Sequence, residues 1–182
     1  MNRIFLLDRS GSMESCWTDT IGGYNSFVKS QKSLGGTMSL ILFDHEYQKV
    51  YENKPIDEVE NLTQETYQPR GSTALLDAMG QCIKECTVDK PTVIILTDGH
   101  ENASTTYTNA HIKDLVDQKT KDGWTFVYLG ANQDAFAEGG KLGIDPRCTA
   151  NFDVNKTPQL FATLSAAVSR HATGDSQTVE MY

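Results

Sequence analysis

The residue pattern with the clearest chemical meaning is Asp8-Arg9-Ser10-Gly11-Ser12, which follows the apolar run Ile4-Phe5-Leu6-Leu7. An apolar run of this kind predicts a buried β-strand, so one carboxylate and two hydroxyls would lie where the chain leaves that strand. Mg²⁺ prefers oxygen ligands in octahedral geometry and keeps several of its waters. This loop therefore suits an Mg²⁺-like ion and leaves coordination positions open for an acidic group of a partner.

Two further loops carry oxygen-bearing side chains at comparable positions. Arg70-Gly71-Ser72-Thr73 precedes a predicted helix, and Thr97-Asp98-Gly99-His100 follows the apolar strand at residues 93–96. In an open α/β sheet, ligands bind outside the carboxyl ends of the strands, near the point where the strand order reverses. Each of these polar residues alone would more often cap a turn or a helix. Their combination predicts that five side chains converge on one ion: Asp8, Ser10, Ser12, Thr73 and Asp98.

The elements that position these loops are visible in the pattern of apolar residues. Continuous apolar runs predict strands covered on both faces at residues 4–7, 40–43, 93–96 and 126–129. Helical stripes lie between and after them, near residues 18–34, 75–86, 112–119 and 158–170. Residues 47–51 follow the second strand after a connection too short for a parallel crossover, so they predict an antiparallel edge strand. We expect an α/β fold with a doubly wound, mostly parallel six-stranded sheet, one antiparallel edge strand and helices on both faces.

Composition narrows the domain organisation and the classes of partner. The 182 residues fit one domain at 1–170, followed by a polar tail at 171–182 that we expect to be loose or only weakly docked. The formal charge of −8 argues against binding to nucleic acid.

The absence of a signal peptide or an apolar membrane-spanning stretch predicts a cytoplasmic protein without a membrane partner. The four cysteines fit this, as buried free thiols.

The five predicted ligands resemble a known metal site. Asp8-x-Ser10-x-Ser12, Thr73 in Gly-Ser-Thr-Ala-Leu and Asp98 in Thr-Asp-Gly are similar to the metal-ion-dependent adhesion site (MIDAS) of von Willebrand factor A (vWA) domains. The similarity extends from residue 4 to about residue 168, and the chain looks more like stand-alone intracellular members from bacteria and phages than like extracellular receptors. This resemblance implies that Asp8, Ser10 and Ser12 anchor Mg²⁺, that Thr73 binds it directly or through water, and that Asp98 commonly acts through water. It also implies that movement of the metal-bound loops can be coupled to the last helix.

A physical argument supports the indirect role of Asp98. Two directly bound carboxylates would neutralise a divalent ion, whereas one leaves net positive charge facing an anionic ligand. Mn²⁺ or Ca²⁺ could replace Mg²⁺ at such a site. The predicted ligand-binding residues around it are Gly11, Ser72, Gly99 and His100. The glycines would keep the approach unobstructed, and His100 could donate a hydrogen bond to a ligand carboxylate.

These features favour a metal-dependent, non-enzymatic protein-binding module that takes an Asp or Glu side chain from a protein partner. A metal-dependent phosphoryl-transfer or hydrolytic enzyme is the alternative on a similar sheet. A phosphatase of the haloacid dehalogenase class would need a second aspartate as general acid/base where this chain has Ser10. A second alternative is a structural subunit that uses the same site for self-association, with an acidic residue from another copy.

Overall fold

The computed structural model describes every residue from Met1 to Tyr182. Six strands form one sheet in the order β3-β2-β1-β4-β5-β6. The strands are β1 (Asn2–Asp8), β2 (Thr37–Phe43), β3 (Tyr47–Pro55), β4 (Thr92–Thr97), β5 (Thr125–Ala131) and β6 (Thr149–Phe152). The helices are α1 (Trp17–Gln31), α2 (Leu75–Glu85), α3 (Asn109–Lys121), α4 (Ala135–Lys141) and α5 (Thr157–Ala172).

The predicted fold class is confirmed. β3 pairs with β2 in antiparallel orientation, and all other neighbouring strands are parallel. The apolar pattern did not locate β6, because its sequence Thr149-Ala150-Asn151-Phe152 lacks a continuous apolar run and only its first and last residues are buried.

The residues of β1 are buried on both sides because helices cover both faces of the sheet. The Phe5 ring lies 5.3 Å from the ring of Tyr24 on α1 and 6.2 Å from that of Phe161 on α5, measured between centroids. The neighbouring residue Ile4 points the other way and lines a small cavity with Cys82 of α2. The core therefore consists of two layers of apolar side chains with the sheet between them.

The strand order places the two most important loops side by side. Along the chain, β1 is followed by β2 on one side of the sheet, whereas β4 lies on the other side of β1 and is followed outward by β5. Leu7 of β1 is paired with Leu96 of β4, so Asp8 and Thr97 end neighbouring parallel strands. The order of strands reverses here, which is where ligands bind in open α/β sheets.

The C-terminal segment is packed more firmly than its polar composition predicts. Val179 is fully buried and Met181 is 8% exposed, and both belong to the core. The Met181 N–H donates a 2.9 Å hydrogen bond to the carbonyl oxygen of Arg147. Of the two expectations for this tail, loose or weakly docked, the residues around Val179 and Met181 are therefore docked, and these apolar side chains at alternating positions face the core.

None of the helices combines the length and the apolar character needed to cross a lipid bilayer.

Candidate metal site

Asp8 is a completely buried carboxylate at the carboxyl edge of the sheet. Its Oδ1 accepts a 2.6 Å hydrogen bond from the backbone N–H of Ser10, and its Oδ2 accepts a 2.6 Å hydrogen bond from Thr97 Oγ1. Burial raises the pKa of Asp8 to about 6, and the nearby carboxylate of Asp98 acts in the same direction. A buried carboxylate of this kind gains most from a cation, because no basic side chain is hydrogen-bonded to it.

Ser12 connects the first loop to Asp98. Ser12 Oγ donates a 2.6 Å hydrogen bond to Asp98 Oδ1 and lies 3.3 Å from Ser10 Oγ. The second oxygen, Asp98 Oδ2, is buried without any hydrogen-bond partner, and burial raises the pKa of Asp98. A serine that donates its one hydrogen to a carboxylate retains lone pairs that can ligate a cation. Asp98 is therefore placed to orient Ser12.

Thr73 reaches the site from the long connection between residues 59 and 74. Its N–H donates a 2.8 Å hydrogen bond to Asn102 Oδ1, and its carbonyl oxygen accepts hydrogen bonds from the N–H groups of Asn102 and Ala103. The same connection is tied to the first loop by the buried Tyr67, whose hydroxyl donates a 2.7 Å hydrogen bond to the carbonyl oxygen of Asp8. These contacts fix Thr73 between the other two loops.

Three hydroxyl oxygens surround one point beside Gly99. A Cβ atom at this glycine would lie 2.9 Å from Thr73 Oγ1, 3.5 Å from Ser12 Oγ and 3.6 Å from Ser10 Oγ. The space exists only because residue 99 has no side chain. The structure therefore brings together all five side chains that the sequence predicts as ligands.

The chemistry of these groups fits a hard divalent cation. The donor set consists of two carboxylates and three hydroxyls, with no nitrogen or sulfur, which is the preference of Mg²⁺ rather than of Zn²⁺. No group of three or more His, Cys, Asp or Glu side chains in the structure could hold a metal. The hydroxyls of Ser10, Ser12 and Thr73 would therefore be needed to complete the coordination.

The predicted ligand-binding residues form the rim of the site. The Gly11 N–H donates a 3.1 Å hydrogen bond to the Gly71 carbonyl oxygen, which closes the first loop against the second. Gly11 and His100 are exposed, Gly99 is half-buried, and Ser72 is half-buried next to Thr73. The side that holds Gly11 and Ser12 is thus open to solvent.

Sequence reasoning missed three residues that organise the site: Tyr67, Thr97 and the amide of Asn102 as the partner of Thr73. Thr97 belongs to the loop that carries Asp98, and the only sequence feature that could have indicated its role is a hydroxyl next to that carboxylate. Tyr67 gave no signal, because its contact with Asp8 depends on how the connection between residues 59 and 74 folds back.

No protein-family model matches the chain, and no curated protein matches it. Solved structures match it over most of its length. A von Willebrand factor type A protein from Catenulispora acidiphila is 16% identical, with a TM-score of 0.59, over 91% of this chain and 42% of that chain. The chain has the vWA fold.

The structures of two further vWA-fold neighbours contain bound metal ions. Proximal thread matrix protein 1 from the mussel byssus, with a zinc-occupied MIDAS motif, is 13% identical, with a TM-score of 0.65, over 93% of this chain and 48% of that chain. The manganese-loaded TRAP protein of Plasmodium vivax is 18% identical, with a TM-score of 0.58, over 87% of this chain and 71% of that chain. This vWA-fold chain spans less than half the length of the matrix protein and of the Catenulispora protein.

Proposed function

We propose that this chain is a metal-dependent protein-binding module that captures an Asp or Glu side chain of a partner protein. Asp8, Ser10, Ser12 and Thr73 would hold Mg²⁺, with Asp98 acting through water. The observation that carries the proposal is the convergence of three hydroxyls on one point beside Gly99, next to the buried carboxylates of Asp8 and Asp98. One oxygen of Asp98, Oδ2, has no hydrogen-bond partner.

The bound cation would supply positive charge and an open coordination position for a carboxylate. The chain's own residues decide how much of that charge faces the partner. The hydrogen bond from Ser12 engages Asp98 Oδ1. One directly bound carboxylate, that of Asp8, would leave net positive charge facing the partner. The rim at Gly11 and Ser12 is open, so a partner side chain can approach from solvent.

The names of neighbouring vWA-fold proteins agree with a binding role, since one is a thread matrix protein. An enzyme would in addition need a group that transfers protons beside the metal. His100 is exposed on the rim without a hydrogen bond that would orient it for this role. We therefore place binding before phosphoryl transfer or hydrolysis.

The four free thiols support a reducing, cytoplasmic setting.

A peptide library tests the proposal. The chain is immobilised and incubated with peptides that carry one Asp or Glu at each position, in Mg²⁺ and again in chelator. We expect selected peptides to bind only in Mg²⁺ and to lose binding when the acidic residue becomes Asn or Gln. Metal uptake without any carboxylate-dependent ligand would contradict the proposal. Metal-dependent hydrolysis of a phosphate monoester would favour the enzyme, and a Mg²⁺-dependent increase in oligomer size would favour self-association.

A further inference from the structure

A buried carboxylate outside the predicted ligand set lies between two arginines. Asp44 directly follows β2 and is completely buried. Its Oδ2 accepts a 2.7 Å hydrogen bond from Arg70 Nε and lies 3.2 Å from Arg9 Nε. One carboxylate oxygen thus faces two guanidinium groups that come from two different loops.

Both loops carry predicted metal ligands. Arg9 stands between Asp8 and Ser10, and Arg70 belongs to the loop that ends in Thr73. A backbone hydrogen bond also joins the two loops, because the Arg70 N–H donates a 2.6 Å hydrogen bond to the Arg9 carbonyl oxygen. The N–H of Ala74, next to Thr73, donates a 2.8 Å hydrogen bond to the carbonyl oxygen of Asp44.

The other groups that face the two arginines cannot replace Asp44. Glu46 Oε2 bonds Arg70 Nη2 and lies 3.9 Å from Arg9 Nη2, but the Glu46 side chain is 60% exposed. Gln48 accepts from Arg9 Nη1 and is uncharged. Asp44 itself is held in place by the Glu46 N–H, which donates a 2.6 Å hydrogen bond to Asp44 Oδ1. Asp44 is therefore the only fully buried negative charge between the two guanidinium groups.

We infer that Asp44 is a positioning residue that fixes the Thr73 loop against the Asp8–Ser12 loop and thereby sets the affinity for the divalent cation. This inference rests on the proposed function. Without the carboxylate, two cations would face each other, and Arg9, whose side chain is only 9% exposed, could not reach solvent without moving its loop. The two loops would separate, and the hydroxyl of Thr73 would leave those of Ser10 and Ser12.

The first test is Asp44→Asn, which keeps the shape of the side chain and removes its charge. Mn²⁺ alone is titrated calorimetrically into the metal-free protein, and thermal unfolding is measured in chelator. Removing groups that orient metal ligands commonly weakens metal affinity by about 10-fold to 100-fold. We expect a loss of at least about 10-fold for Asp44→Asn, together with a lower melting temperature. Asp117→Asn is the matched control, because Asp117 is paired with Lys113 on the exposed side of α3.

A double variant separates positioning from a general effect on stability. Asp44→Asn with Arg70→Gln removes one of the two opposed cations, so the melting temperature should recover at least in part. The loops still lack their link, so Mn²⁺ affinity should remain low. Affinity that recovers in step with stability would overturn the inference, as would an Asp44→Asn affinity within about twofold of the unmodified protein.

The outcomes also distinguish the two proposals. If the unmodified protein takes up no Mn²⁺, the proposed function and this inference both fail. If the unmodified protein and Asp44→Asn bind Mn²⁺ equally, only the role of Asp44 is refuted. If Asp44→Asn alone does not fold, the Mn²⁺ affinity and the melting temperature of the double variant are compared directly with those of the unmodified protein.

Discussion

Thr97 Oγ1 donates a 2.6 Å hydrogen bond to Asp8 Oδ2, across the ends of two neighbouring parallel strands, and both residues are completely buried. The same hydroxyl lies 3.2 Å from the N–H and from the carbonyl oxygen of Gly99. Thr97 therefore connects the carboxylate of the first loop to the glycine that leaves room for the three hydroxyls. Several predictions about the site depend on this connection and on the burial around it.

Thr97→Val should weaken Mn²⁺ binding and destabilise the domain, because one oxygen of a buried carboxylate would lose its donor. Leaving a buried polar group unsatisfied costs about 1–3 kcal/mol. Urea unfolding in chelator measures the stability, and calorimetric titration measures the affinity. Thr92→Val on the same strand is the control, since Thr92 is buried but makes no side-chain hydrogen bond to Asp8. Equal effects of the two substitutions would refute the role of Thr97.

Asp8→Asn should stabilise the metal-free domain while abolishing Mn²⁺ uptake. The pKa of Asp8 is raised to about 6 by burial, so the folded state binds its proton more tightly than the unfolded state does. This residue's contribution to stability is therefore favourable at low pH, falls as pH rises from about 4 to about 6, and stays low above that. At pH 7 the burial cost is on the order of 3 kcal/mol.

The measurement is the free energy of unfolding in chelator as a function of pH, for the unmodified protein and for Asp8→Asn. Subtracting one curve from the other cancels the contributions of other groups, some of which change stability with pH in the opposite direction. Asp77 is such a group, because burial acts to raise its pKa but backbone hydrogen bonds outweigh this and lower it. The two curves should meet near pH 4 and separate by pH 6. A constant difference across this range would show that burial of the charge is not the cause.

Gly99→Ala should weaken metal binding without unfolding the protein. The added methyl group would lie 2.9 Å from Thr73 Oγ1 and within 3.6 Å of Ser10 Oγ, in the space that the hydroxyls surround. We expect Mn²⁺ affinity to fall by at least about 10-fold while far-UV circular dichroism is unchanged. Gly140→Ala is the control, because nothing lies within 4 Å of its added methyl group. Normal Mn²⁺ uptake by Gly99→Ala would place the cation elsewhere.

Thr73→Ala should weaken the binding of a selected acidic peptide more than the binding of Mn²⁺ alone. The remaining four ligands are unchanged, and the Thr73 backbone stays fixed by Asn102. Two titrations, of Mn²⁺ into the free protein and of peptide into the Mn²⁺-loaded protein, give the two losses separately. Losses of equal size would argue that Thr73 does not act mainly in the peptide-bound state.

Much of the site could be predicted because its ligands follow elements with strong signals. The run before Asp8 and the run before Thr97 are continuously apolar and form central strands buried on both faces, as expected. Strand ends of a parallel sheet lie along one edge, so Asp8 and Asp98 were expected at the same edge once the strands were recognised. The strand order, in which β1 and β4 are neighbours, brings them close together. β6 was not located, because a short edge strand with two unburied residues carries little apolar signal.

The sequence by itself determined the fold class, the side of the sheet that carries the polar loops, and the types of oxygen available to a cation. These follow from local patterns, because hydrophobic periodicity defines the elements and residue types define the ligands. Only the tertiary structure decided that Thr97 supports Asp8, that Asp44 lies between Arg9 and Arg70, and that Val179 enters the core. Each of these contacts joins residues far apart in the chain, and the direction of a side chain at a loop end depends on packing that no local pattern encodes.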